Sequence, residues 1–387
     1  MINAAYLTRM KLSAFRNYHH LDIVFDGRHV VLTGPNGSGK TNLIEAISLL
    51  SPGRGLRRAR APHMVQKNAR EDGFSVFVEL VNHDDTYEIG TGLLPTGQGE
   101  QQSRPRRVRI NGTTAKSSDE LLELCRIIWL TPAMDGLFTG PAADRRRFLD
   151  RMVLAIDPAH GQRANAHERA MRQRNKLLED SAGHMRDNRW LDGIEDQLAS
   201  LGVAIQAARA ELVQLLSAII EKDDTDQFPS ALLAIDGELE ELSRSAGCDN
   251  AASLEDAYRQ SLHDMRGRDQ SARRTLVGAH RSDLFVTHAQ KDMVASLCST
   301  GEQKALLVGL ILSHGLLTKS VSGHAPIMLF DEIAAHLDVD RRAALFERID
   351  AIGGQAFMTG TDRNLFDAMD DTAQRFRVEA GVVGADD

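Results

Sequence analysis

Cysteine is nearly absent from this chain of 387 residues: only Cys125, Cys248 and Cys298 occur. They lie far apart and form no Cys-x-x-Cys pair. That excludes a disulfide framework or a cysteine-built zinc site and fits a reducing cytosol. Long apolar runs are missing too. Ala305 to Leu317 is the longest, broken by Gly309, Ser313 and His314 and too short to span a bilayer. The N-terminus carries no apolar run of the secretory type. A cytoplasmic, soluble protein is expected. Positive charge is not in excess either: the formal net charge is −8. Any binding of nucleic acid must therefore come from local basic patches. What is present, 42% hydrophobic and 26% charged residues, is the composition of a globular protein large enough for two or three domains.

The first part of the chain reads as strands and turns. Tyr6 to Lys11, Leu21 to Phe25 and Val30 to Thr33 are rich in strand formers, and a helical stretch follows from Asn42 to Leu50. Further strands are expected at Phe74 to Leu80, Thr86 to Gly90 and Val108 to Ile110, the last ending in an Asn111-Gly112 turn. From Val153 the pattern turns helical. Leu198, Leu201, Ile205, Ala208, Leu212, Leu215 and Ile219 alternate at spacings of three and four, a heptad seam. Asp223 to Pro229 ends it, and Leu254 to Met265 can return antiparallel. Strands resume at Leu284 to Thr287, Ile327 to Phe330 and Ala356 to Thr359. The tail from Gly381 to Asp387 is expected to fray.

Gly34-Pro35-Asn36-Gly37-Ser38-Gly39-Lys40-Thr41 fits the phosphate-binding loop pattern of Gly, four residues, Gly, Lys, then Ser or Thr. Glycines let successive N–H groups turn inward around phosphate, and the following helix presents its N-terminal dipole to the same anion. Lys40 supplies a point charge, and the Thr41 hydroxyl can ligate Mg2+. The bland alternative is a glycine-rich turn with a solvated lysine. It is disfavoured because the motif sits where an apolar strand meets a helix.

Such a loop needs an acid for magnesium and a group to orient the attacking water. Ile327-Met-Leu-Phe-Asp331-Glu332 offers both at the end of an apolar strand. Asp331 is the candidate metal holder, directly or through a bound water, and Glu332 the candidate general base. Alone the two acids could be a solvated turn; with the loop they complete an ATP site. Lys40 and Asp331 lie about 290 residues apart, so a helical insertion into one ATPase sheet accounts for the gap.

Ser299-Thr300-Gly301-Glu302-Gln303-Lys304 precedes an apolar helix and resembles the signature motif of the ABC ATPases, departing from it at Cys298, Thr300 and Glu302. Ala335-His336-Leu337-Asp338 stands where those ATPases carry their D-loop. Thr359-Gly360-Thr361 stands where many relatives place a switch histidine, which this chain lacks; a hydroxyl there could face the γ-phosphate. Trp129-Leu130-Thr131-Pro132 with Asp135 stands in for a glutamine loop. These elements match the SMC-like branch of the ABC ATPases. Three more narrow the resemblance to the RecF family over essentially the full length: Leu12 with Phe15-Arg16-Asn17-Tyr18, the arginine-rich Gly140 to Asp150, and Gly278-Ala279-His280-Arg281-Ser282-Asp283.

The resemblance implies an α/β P-loop ABC-type ATPase head with an inserted antiparallel helical lid. Residues 1–152 and 273–387 would form the head, and 153–272 the lid. It implies nucleotide contacts from residues 34–41, Arg16, Ser299, Gly301 and Asp338, with ATP and Mg2+ as cofactors. It further implies a slow, DNA-stimulated ATPase that dimerises on ATP. In that picture it acts at gapped DNA with RecO and RecR to load RecA onto strands coated by single-strand-binding protein. Basic clusters at Arg54, Arg57, Arg58 and Arg60, at Arg104, Arg106, Arg107 and Arg109, and along Arg163 to Lys176 could contact DNA phosphates. Three rival readings are a full SMC tether, a transporter ATPase subunit and a P-loop kinase. The first needs a far longer coiled coil, the second lacks a helical insert, and the third does not need the signature or the Asp331-Glu332 pair.

Overall fold

The computed structural model describes residues 4–67, 69, 73–83, 85–95, 105–180, 188–223, 227–245, 250–334, 337–369 and 372–386. The chain opens with β1 (Tyr6–Phe15), β2 (Tyr18–Val24), β3 (His29–Thr33) and α1 (Lys40–Ser48). There follow β4 (Phe74–Asn82), β5 (Asp85–Leu93), β6 (Arg107–Ile110), β7 (Thr113–Thr114), α2 (Leu121–Leu124) and β8 (Ile127–Leu130). Next come α3 (Ala142–Ile156), α4 (His160–Asp180), α5 (Asn188–Glu221), β9 (Ala231–Asp236), α6 (Glu238–Ser245), α7 (Ala251–Asp264), α8 (Arg266–Ala272), β10 (Asp283–His288) and β11 (Met293–Val294). The remainder holds α9 (Thr300–Ser322), β12 (Ile327–Phe330), α10 (Val339–Ile352), β13 (Ala356–Gly360), β14 (Ala373–Glu379) and β15 (Val382–Ala385).

These elements pack into two compact units. The first combines residues 1–135, 224–229 and 300–387; the second combines 136–223 and 230–299. The boundaries differ from the sequence reading because position 152/153 falls inside α3, a continuous helix. Likewise β10, expected in the second half of the head, pairs with β9 in the second unit, Leu284 opposite Ile235.

In the first unit one sheet has the order β15-β14-β3-β13-β12-β8. β14, β3, β13, β12 and β8 run parallel, and β15 returns antiparallel along the edge. Parallel strands covered on both faces need continuous apolar sequence, and Val30 to Leu32, Ile327 to Phe330 and Ala356 to Met358 supply it; all are buried. A second, antiparallel sheet, β2-β1-β4-β5-β6-β7, alternates buried and exposed residues, as a one-sided sheet should. The two sheets share one apolar core that includes Leu7, Leu12, Phe15, Leu32, Ile44 and Phe357. Each fully buried leucine or phenylalanine there contributes about 1.5–3 kcal/mol.

Helix α9, 23 residues long, has buried residues on every side from Gln303 to Gly315, the mark of a core helix. By length and composition alone, α9 and α5 could each cross a membrane, which the broken run from Ala305 to Leu317 did not suggest. Most of the α9 window is buried. The C-terminal tail does not fray over its described part. Val382–Ala385 pairs with β14 because that strand offers an open edge.

The second unit is mainly helical. Its long helix α5 buries Leu191, Leu198, Ile205, Leu212, Leu216 and Ile220, while Leu215 is exposed. The expected heptad seam therefore drifts to successive spacings of four near its end, as a straight helix of 3.6 residues per turn does. At the unit's centre Arg174 is fully buried. It donates to Glu195 Oε1 at 2.9 Å, Asp269 Oδ2 at 2.6 Å, Thr275 Oγ1 at 3.0 Å and the Leu262 carbonyl at 2.7 Å. The two arginine-bearing motifs also meet here. Arg145 forms a two-pronged bridge to Asp283 at 2.8 and 2.7 Å, and Arg146 donates to the Ser282 carbonyl at 2.9 Å.

Nearby, burial lowers the His167 pKa to about 4, with His280 and Arg209 adding in the same direction. Arg174→Met strands Asp269 and should lower stability by about 3–5 kcal/mol in urea unfolding; a loss under 1 kcal/mol would refute the assigned weight of the network. His167 binds a proton more readily unfolded than folded. Its contribution is therefore complete above pH about 6.5 and is lost as pH falls towards about 4. His167→Phe should flatten acid destabilisation across that window, worth about 3 kcal/mol; an unchanged pH profile would count against it.

Candidate functional site

The site forms where three neighbouring parallel strands end. β3 runs into residues 34–39 and α1, β12 runs into Asp331 and Glu332, and β13 lies between them with Thr359. The loop is shaped by glycines in the left-handed region, with φ of 141° at Gly34, 80° at Gly37 and 122° at Gly39. A Cβ at Gly34 would stand 2.2 Å from the Val378 carbonyl oxygen, and one at Gly39 would stand 2.6 Å from Asn17 Nδ2. At Gly37 it would meet nothing within 4 Å, so the loop is open on that side. Helix α1 has no side-chain cap and no acid in its first turn. Its leading N–H groups are available to an anion.

The loop is braced from behind by the β1–β2 turn. Asn17 Nδ2 donates to the Ser38 carbonyl at 3.0 Å, and the Tyr18 hydroxyl donates to the Gly39 carbonyl at 3.0 Å. Burial raises the Tyr18 pKa, so the phenol stays a donor. The Gly381 N–H, in the β14–β15 turn, also donates to Ser38 O at 2.9 Å. Arg16, with φ 56°, grips the fully buried Glu45 of α1 through Nε at 2.9 Å and Nη2 at 2.6 Å, and donates through Nη1 to His63 O. Arg57 reaches the same carboxylate at 3.2 Å. Arg16 thus holds α1 in place.

Inside the loop, Lys40 is buried and its Nζ donates to the Gly34 and Pro35 carbonyls at 2.6 and 2.9 Å. Burial lowers its pKa, while Glu332 and Asp331 raise it. Both acids therefore lie close enough to act on the ammonium. Thr41 Oγ1 donates to Asp331 Oδ1 at 2.8 Å, joining the two motifs across 290 positions. Thr359 Oγ1 donates to the same oxygen at 2.8 Å. Glu332 adopts φ 53°, a left-handed backbone that costs a residue with a Cβ about 1–2 kcal/mol.

Other expected positions fall elsewhere. Ser299 ends the second unit, and Gly301 lies in the first turn of α9; both are exposed. Asp338 caps α10, accepting from the Arg341 N–H at 2.8 Å. Of the expected D-loop, Ala335 and His336 lie outside the described residues. Asp135, in the stand-in for the glutamine loop, pairs with Lys304 of α9 at 3.4 Å. Thr359 is fully buried on Asp331 rather than facing outward. At Gly360 a Cβ would stand 2.5 Å from the Phe366 ring, so no histidine fits there without moving it.

The basic clusters divide. Arg54, Arg58, Arg60, Arg107 and Arg109 are exposed, as are Arg169, Arg172 and Lys176. Arg106 is structural: it donates to Leu49 O and Thr91 Oγ1, both at 2.6 Å, and burial lowers its pKa to about 10. Arg163 pairs with Asp157, and Arg104 lies outside the described residues.

The fold and this convergence of loop, lysine and paired acids define an ABC-type P-loop ATPase head carrying a helical insertion. The RecF/RecN/SMC N terminal domain family matches residues 6–383. The chain is 55% identical over 385 residues to a DNA replication and repair protein RecF from Rhizobium rhizogenes strain K84, covering 99% of each chain. It is 54% identical to the RecF of Agrobacterium fabrum strain C58, covering 100% of each. The chain belongs to this family and, within it, to RecF. In fold it is similar to the recombination mediator RecF-ATP structure of the RecFOR pathway, with a TM-score of 0.83 at 21% identity over 100% of this chain and 99% of that one. A Pyrococcus furiosus Smc head domain is a more distant likeness, with a TM-score of 0.54 at 17% identity over 99% of this chain and 96% of that one.

Arg16→Ala should lower the stability of the nucleotide-free protein by about 3 kcal/mol in thermal unfolding, because it leaves buried Glu45 short of its main partner. An unchanged melt would overturn the weight given to the Arg16–Glu45 pair.

Proposed function

We propose that this chain is an ATP-dependent, DNA-binding recombination mediator of the cytoplasm. In this reading it binds and hydrolyses ATP with Mg2+ in its head and acts at gapped DNA, beside RecR and RecO. The observation that carries the ATP half is the 2.8 Å bond between Thr41 and Asp331, two residues 290 positions apart.

The residues present fit both ligands. Ser38 Oγ is buried in the loop without a hydrogen-bond partner, and Lys40 spends its donors on loop carbonyls that an anion could displace. Thr41 and Asp331 form an all-oxygen donor set, the kind magnesium prefers. They are the residues that would hold the ion; bound there, it neutralises charge on the phosphates. Lys40 and the first N–H groups of α1 hold the phosphate oxygens, and Glu332 accepts a proton from the attacking water as ATP and water give ADP and phosphate.

Ser299 and Gly301 sit exposed at a helix start, suited to capping the γ-phosphate of a second copy. A dimer held that way has lower affinity once the γ-phosphate is lost, so hydrolysis would release it. DNA contact is assigned to the exposed arginines rather than to Arg106 or Arg174. The expected behaviour is salt-dependent and tolerant of sequence.

Sedimentation with ATP tests the switch. Glu332→Gln should give a lasting dimer retained on gapped DNA. Lys40→Arg should stay monomeric, with DNA affinity reduced about tenfold. A monomeric Glu332→Gln, or full DNA affinity in Lys40→Arg, would overturn the coupling.

A further inference from the structure

Thr359 lies outside the loop and acid motifs, yet one hydroxyl serves both acids. It is fully buried in β13, the strand between the loop strand and the acid strand. A hydroxyl has one proton to give and lone pairs to accept with. Here the proton goes to Asp331 Oδ1 at 2.8 Å, and the oxygen accepts the Glu332 N–H at 3.0 Å. We propose that Thr359 is a positioning residue of the hydrolytic site, fixing the Asp331 carboxylate for metal binding and the Glu332 backbone for proton abstraction.

Two features argue against a merely space-filling role. First, Asp331 Oδ1 takes two hydroxyl protons, from Thr41 and from Thr359. When Thr41 turns its oxygen to a cation, the bond from Thr359 is the one that still orients the carboxylate. Second, Glu332 sits at φ 53°, a conformation that residues with a Cβ adopt rarely and that needs a specific partner to hold it. The Thr359 oxygen is that partner for its N–H. Valine would fill the same volume and preserve β13, but could neither donate to Asp331 nor accept from Glu332. Serine would keep both bonds. The inference rests on the ATPase reading above and adds a residue that neither touches nucleotide nor holds the metal.

The test compares wild type with Thr359→Val and Thr359→Ser in the full chain. In the nucleotide-free protein, hydrogen exchange over a peptide spanning residues 327–334 should speed up in Thr359→Val and stay near wild type in Thr359→Ser. With ATP, Thr359→Val should bind the nucleotide without Mg2+ within about threefold of wild type. Its half-saturating Mg2+ should rise at least about fivefold and its turnover should fall at least about tenfold, with Thr359→Ser restoring both. If Thr359→Val is insoluble, Thr359→Ala carries the same comparison. Wild-type exchange, Mg2+ response and turnover in the variant lacking the hydroxyl would overturn the inference while leaving the ATPase reading intact. A wild-type protein that neither binds nor hydrolyses ATP would overturn the reading itself.

Discussion

A carboxylate shared by two hydroxyls organises the head. Asp331 accepts from Thr41 on one side and Thr359 on the other, so three segments remote in sequence are fixed to one oxygen atom. The order β3-β13-β12 makes this possible, because the C-terminal ends of adjacent parallel strands open on the same side of the sheet. The apolar strands cannot shift without exposing core, and α9 fills the space beside them.

The loop is held as firmly from outside as from within. Its carbonyls at Ser38 and Gly39 are satisfied by Asn17, Tyr18 and Gly381, which leaves the loop's open side for a ligand. Arg16 and Arg106 both support α1: one pairs with the buried Glu45 in its second half, and the other donates to the Leu49 and Ser51 carbonyls just past its end. A guanidinium suits such places because its planar fork of donors stays charged when buried. Arg106, which stands in a basic cluster read as a possible DNA contact, therefore supports the end of the phosphate-binding helix.

In the second unit a polar network does comparable work. Arg174 ties α4 to α5, α7 and α8, while Arg145 and Arg146 bind one motif to another some 138 positions away. A buried ion network is costly to desolvate and costlier to break.

The glycine loop, Lys40, Thr41, the Asp331-Glu332 pair and the strands that carry them are legible in the chain alone. Their chemistry is local, written in residue type and spacing within a few positions. The long separation of Lys40 from Asp331 likewise requires an insertion between the two halves. Which strands become neighbours, and so which hydroxyls reach Asp331, depends on long-range packing. Nothing in the pattern Ala356 to Thr359 marks its last residue as a partner of an acid 28 positions earlier. The same holds for Arg16, Arg106 and Arg174: burial and long-range pairing, not charge or clustering, settle what an arginine does. The placement of β10 and the pairing of β15 were likewise invisible, because a strand's partner depends on which edge lies open when the chain returns.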